Sequence, residues 1–154
     1  MSYWDWAVRV HGGEGVDAAL NGLQDRHGQC VAYLLWAAWA AAEGRPLEPV
    51  LLAQGAALAA HWEAAATGPL RLARRELKAP APPIDEAARL ALREQVRKAE
   101  FAAERLLMET LEALAPAPAG AAVDLLAAMT AAAAAWGSPA PAEDLADLAV
   151  RLQR

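Results

Sequence analysis

Four cations dominate the segment Pro69-Leu-Arg-Leu-Ala-Arg-Arg-Glu-Leu-Lys78, with Arg71, Arg74, Arg75 and Lys78 at i, i+3, i+4 and i+7. On a helix that spacing puts all four on one face, where their repulsion requires a compensating anion. Guanidinium forks suit carboxylate and phosphate. Three sources of compensation are open: Glu63, Glu76 or acids of the long helix that follows, which would make this an ordinary solvated face; an acidic protein partner; or a small anion, lipid headgroup or nucleic acid.

A second polar cluster is Gln24-Asp25-Arg26-His27-Gly28. Asp25 and His27 have the types for an acid–base pair or for two metal ligands, but i and i+2 on a helix do not face each other. His61 and Glu63 share that defect. With His11, His27 and His61 scattered, no His-x-x-x-His or Glu-x-x-His spacing, and a single cysteine, the pattern predicts no metal site and no cofactor. The bland reading is that Asp25 and Arg26 fix an interhelical turn. Nucleophilic and phosphate-cradling motifs are also missing. Ser2 and Ser138 stand in terminal or loop settings, and Gly12-Gly13-Glu14-Gly15 follows a helix and lacks the Lys-Ser/Thr ending. A pocket lined by Trp36, Trp39 and Trp62, with Gln24, Asp25 and His27 at its mouth, is the alternative site, although an aromatic pair on a buried helix is ordinarily core.

These groups need elements to position them. Cys30 to Ala42 holds no charged residue and would be apolar on every face as a helix, so other helices must surround it. Apolar residues make up 56% of the 154-residue chain while strand-favouring residues are sparse, which predicts helices and no sheet. A first helix from Tyr3 to about Val10 would turn Trp4, Ala7 and Val8 to one side and Trp6 elsewhere. A second, from about Val16 to His27, buries Val16, Leu20 and Leu23, and the hub closes at Gly44. A fourth helix from about Leu47 to Ala66 carries Leu51, Leu58 and Trp62 on one stripe, with Gly55 and Ala59 admitting the hub near Ala38, Ala41 and Ala42. Gly68-Pro69 then interrupts it before the basic segment.

The prolines of Ala79 to Pro83 form a rigid connector to a long helix capped by Asp85 and ending near Leu114. Leu90, Val96, Phe101, Leu107, Met108 and Leu111 are its expected apolar seam. Beyond Pro116 the chain is Ala-rich and buries little area per residue, so it either caps the bundle through Val123, Leu126, Met129 and Trp136 or moves. Its last helix presents Leu145, Leu148 and Leu152.

Net charge −5 offers no general attraction for nucleic acid. The lone Cys30, the absence of a signal-peptide pattern at Met-Ser-Tyr-Trp-Asp-Trp, and the lack of an unbroken apolar run of roughly 18 residues point to the cytoplasm and to no membrane span.

Trp4-Asp5-Trp6-Ala7, Gly15-Val16, Leu23 to Gly28, Leu34-Leu35, Trp39, Gly44 to Leu47, Trp62, Pro69-Leu70-Arg71, Arg74-Arg75 and Leu77-Lys78 together resemble a family of small proteobacterial conserved hypothetical proteins of about this length without established function. The resemblance covers Tyr3 to Lys78 and fades through the long helix. Cys30-Val31-Ala32 departs from it, standing where an Asp-Val-Asn type of sequence is expected. It implies no activity, but it puts Gln24 to His27 and Arg71 to Lys78 in one motif-bearing half.

The expectation is therefore an all-α, irregular or orthogonal bundle around a buried helix at about 30–43, with residues 1–115 as one helical domain and 116–154 as a helical tail. The expected role is a non-catalytic cytoplasmic adaptor that binds an acidic protein partner through Arg71, Arg74, Arg75 and Lys78. The competing role is a small-molecule or anionic-ligand binder or enzyme using the tryptophan pocket. Self-association through Ala-rich faces is a third possibility.

Overall fold

The fold was obtained as a computed structural model and is described for residues 1–138 and 140–153. Among these residues the chain is helical with no strand: α1 (Tyr3–His11), α2 (Val16–His27), α3 (Val31–Ala42), α4 (Pro49–Trp62), a π-helical turn (Glu63–Thr67), α5 (Gly68–Glu76), α6 (Glu86–Leu114), α7 (Leu125–Trp136) and α8 (Ala142–Leu152). Among the described residues no helix is long and apolar enough to cross a membrane.

The bundle is arranged around α3, in which Tyr33 through Ala41 are all buried. A helix with no charged side chain over this stretch has no face to give to water, so α1, α2, α4, α6 and α7 all pack on it. Its aromatic polar atoms are largely satisfied by backbone: Tyr33 Oη donates to the Leu52 carbonyl at 2.8 Å and Trp39 Nε1 to the Met1 carbonyl at 3.1 Å. At its end Gly44 takes a left-handed φ of 64°, which lets the Arg45 N–H return to the Ala40 carbonyl at 2.8 Å.

Four details differ from the sequence reading. On α1 the row Tyr3, Trp6, Ala7 and Val10 is buried and Val8 is exposed. The helix is gripped by α3 and α6, and that row follows the i, i+3, i+4, i+7 ridge facing them. Trp4 meets the Phe101 ring edge-on at 5.2 Å instead.

On α4 the inner row is Leu52, Gly55, Ala56 and Ala59, displacing Leu51, Leu58 and Trp62 to partial burial. Gly55 does face the hub, but against rings rather than alanines: a Cβ there would lie 2.7 Å from Trp36 Cζ3.

Gly68-Pro69 does not interrupt the helix. The Gly68 N–H bonds the Glu63 carbonyl across five residues, and helical backbone continues on both sides. Pro69 lacks an N–H and cannot sustain the regular ladder, so one wider turn absorbs it. Gly68 makes that possible, since a Cβ would stand 2.6 Å from the Glu63 oxygen.

On α6, Leu107, Met108 and Leu111 are buried as expected, but Leu90 and Phe101 are 46% and 52% exposed, while Arg89 and Glu100 are buried. The first half of α6 lies along the arginine-rich α5, so its inward positions are those that can answer charge: Arg89 donates to the Leu77 carbonyl and Glu100 receives Arg74.

Beyond Pro116, α7 packs on α3 and α4, and α8 packs on α2 and α7. Met129, Ala132, Leu145 and Leu148 are buried, and Trp136 Nε1 donates to the Gly28 carbonyl at 2.8 Å. Val123 exposes its side chain, yet its N–H donates to the Ala41 carbonyl at 3.0 Å.

Candidate functional site

The π-helical turn places Glu63 beside the start of α5, so that Arg71, two turns on, reaches back to it at 2.5 Å. Glu63 is also held by the Thr67 hydroxyl, which donates at 2.6 Å. From the opposite wall α6 supplies Glu100 and Glu104, one turn apart. Arg71 Nε lies 3.5 Å from Glu100, and Arg74 donates to both Glu100 oxygens. Three carboxylates and two guanidiniums thus interlock between two helices that each carry like charges at i, i+3 or i+4. Each side relieves the repulsion on the other.

Burial works against the charge on Arg71, whose side chain is 14% exposed, but the Glu63 hydrogen bond and the nearby carboxylates hold its pKa above the ordinary value. Glu104 differs from its two neighbours. It accepts no hydrogen bond from any described residue and has only Arg71 Nη2, at 3.8 Å. Burial first, and then the Glu100 charge, raise its carboxyl above the usual glutamate value.

The cluster forms one wall of a cleft of about 400 Å³ whose apolar side includes Leu20, Leu35, Phe101, Leu107 and Met108. A smaller cleft of about 220 Å³, reaching Asp25, Gln29, Arg75 and Trp136, shares Gln24, Cys30, Glu63 and Arg71 with it. The Cys30 thiol lies at this junction, and burial pushes its pKa up to about 11, so it stays a neutral thiol there.

The four cations of the basic segment are thereby split. Arg71 and Arg74 are turned into the bundle; Arg75 is 53% exposed and pairs with Asp25 at 2.8 Å; Lys78 is exposed. Asp25 and His27 diverge as their spacing requires, His27 meeting Asp144 of α8 at 3.1 Å. Gln24 and Asp25 line the clefts, whereas Trp36 and Trp39 have no exposed surface and belong to the core. Trp62 is half-buried and donates to the Ala103 carbonyl at 2.8 Å. The structure therefore does not gather the expected tryptophans around Asp25; the indole present there is Trp136. Glu100, Glu104, Thr67 and Gln29 are site residues that the sequence reading did not select. The i, i+4 pair Glu100 and Glu104, set against the cations of α5, was the available signal.

Among known protein families, residues 2–111 match a family described as a protein of unknown function (DUF2390). The chain belongs to that family. The matched DUF2390 segment runs past Lys78, where the sequence resemblance fades, and includes Glu63, Arg71, Arg74, Glu100 and Glu104. No curated protein and no solved structure matches the chain.

Proposed function

We propose that this DUF2390 protein is a small-ligand binder whose larger cleft takes an amine or guanidinium carried on a short apolar body. The observation that carries the reading is Glu104, the one carboxylate of its cluster with no hydrogen bond, facing a cleft of ligand size. In the cluster three carboxylates stand against two guanidiniums, and the cleft's third guanidinium, Arg97, is taken by Glu94 at 2.7 Å, so a cation at Glu104 completes the balance. Phe101, 52% exposed, lines the same cleft, and an aromatic ring there suits a cation. Leu20, Leu107 and Met108 suit the apolar body.

Thermal unfolding with phenethylamine, its near-isostere 2-phenylethanol and the anionic 3-phenylpropionate tests this. Phenethylamine alone should raise the midpoint through Glu104, and equal response to the alcohol overturns the cationic requirement.

A second reading, docking of an acidic protein partner on the basic face, is supported by the outward position of Arg75 and Lys78. It has lost half its expected surface, because Arg71 and Arg74 are engaged inside the bundle. An R75Q/K78Q variant that recovers the same proteins from a lysate at low salt as the wild type overturns it.

A further inference from the structure

Toward the C-terminal end of α3 the structure has a third, open groove of about 370 Å³, with Ala127, Ala131 and Val123 on its exposed rim, away from the Glu104 cleft at the N-terminal end. It exists because α7 meets α3 there with alanines. Ala127, Ala128 and Ala131 are too short to fill the space to Ala37 and Ala41, and Leu47, Leu52 and Val123 complete a largely apolar wall.

One cation stands on that wall. The Arg45 guanidinium lies over the Trp39 ring at 4.7 Å, and its Nη1 donates to the Pro116 carbonyl at 2.7 Å. Its Nε–H is buried without an acceptor, and no carboxylate of a described residue comes within ion-pair distance. Asp124 also lines the groove, where it caps α7 by accepting the Leu126 N–H at 2.9 Å. A partly buried cation with one N–H unpaired and no carboxylate within ion-pair distance is free to receive an anion that brings apolar surface with it.

We infer that this groove binds a carboxylate on an aliphatic body, with Arg45 taking the carboxylate and the Ala-lined space taking the chain. Two sources share that chemistry. A short acyl acid would use Arg45 alone, and an apolar amino acid would add its ammonium to Asp124.

The full-length chain, titrated calorimetrically with hexanoate, leucine and 1-hexanol, tests the inference. Saturable one-to-one binding of hexanoate or leucine is expected, with 1-hexanol about tenfold weaker or worse. Hexanoate binding with no leucine binding assigns the acyl source, and the converse assigns the amino acid. Arg45→Gln should weaken the bound acid by about tenfold or more, Arg45→Lys should retain part of it, and Ala131→Leu should abolish it by filling the space. Circular dichroism identifies any variant that fails to fold, in which case Arg45→Lys and Ala131→Leu carry the comparison. No binding of either acid, or binding unchanged by Arg45→Gln or Ala131→Leu, overturns the inference. Glu104→Gln leaves this binding intact, which separates it from the first cleft.

Discussion

Arg71 Nη2 stands 3.8 Å from Glu104 Oε1, close enough for attraction and too far for a hydrogen bond. The same guanidinium donates to Glu63 and lies 3.5 Å from Glu100. One cation thus holds Glu63 by a hydrogen bond and stands within ion-pair distance of two further acids, of which Glu100 is bound by Arg74 and Glu104 by no donor of the described residues. The Arg71–Glu63 and Arg74–Glu100 pairs tie the π-helical turn and α5 to α6; Glu104 leaves an acceptor in the cleft. Structure and proposed binding consequently meet in a single side chain.

Arg71→Met would leave Glu63 without its counter-ion, held only by the Thr67 hydroxyl, while Glu100 keeps Arg74. Removing one partner of a buried ion pair commonly costs about 3 kcal/mol or more, so urea denaturation should register a loss of roughly that size. A loss under about 1 kcal/mol would mean that Arg71 behaves as a surface cation.

Glu104→Gln should remove a pH dependence. Because the folded carboxyl is held above its ordinary value, the native state keeps the proton where the unfolded chain has released it. The Glu104 contribution to wild-type stability therefore falls as pH rises through that window. Glutamine does not titrate, so its advantage should be absent near about pH 4 and present near about pH 7. Urea midpoints at the two pH values measure it, and an advantage confined to the acid side would contradict the assignment.

The legible and illegible parts of the molecule divide along a physical line. The burial of α3 was readable because a helix without charged side chains has one solution, to be enclosed. The seam of α6 was misread because Leu90 and Phe101 are apolar and Glu100 is not, yet Glu100 is buried. Its burial depends on Arg71 and Arg74, far off in sequence, and no hydropathy pattern contains that pairing. The same holds at Gly68-Pro69, where the usual helix-breaking signal is absorbed by a π-helical turn that only the approach of Gly68 to the Glu63 carbonyl permits. For the candidate site, Arg71, Arg74, Gln24 and Asp25 were visible as charge and polarity, whereas Glu104 becomes distinct only once its missing hydrogen bond is seen.

Gly55→Ala probes the seat of Trp36. The added Cβ would approach Trp36 Cζ3 to 2.7 Å and Tyr33 Cε2 to 3.1 Å, both on fully buried rings. Overpacking of about 1–3 kcal/mol should outweigh the roughly 1 kcal/mol that alanine gains in helix propensity. A net loss of about 1 kcal/mol in urea denaturation is expected; a net gain would mean that the α3–α4 contact has room to spare.

The most direct measurement of the central claim is calorimetric titration of phenethylamine into the wild-type chain and into Glu104→Gln. The account predicts saturable one-to-one binding to the wild type and at least about tenfold weaker binding to the variant. Equal binding to both, or none to the wild type, would contradict it.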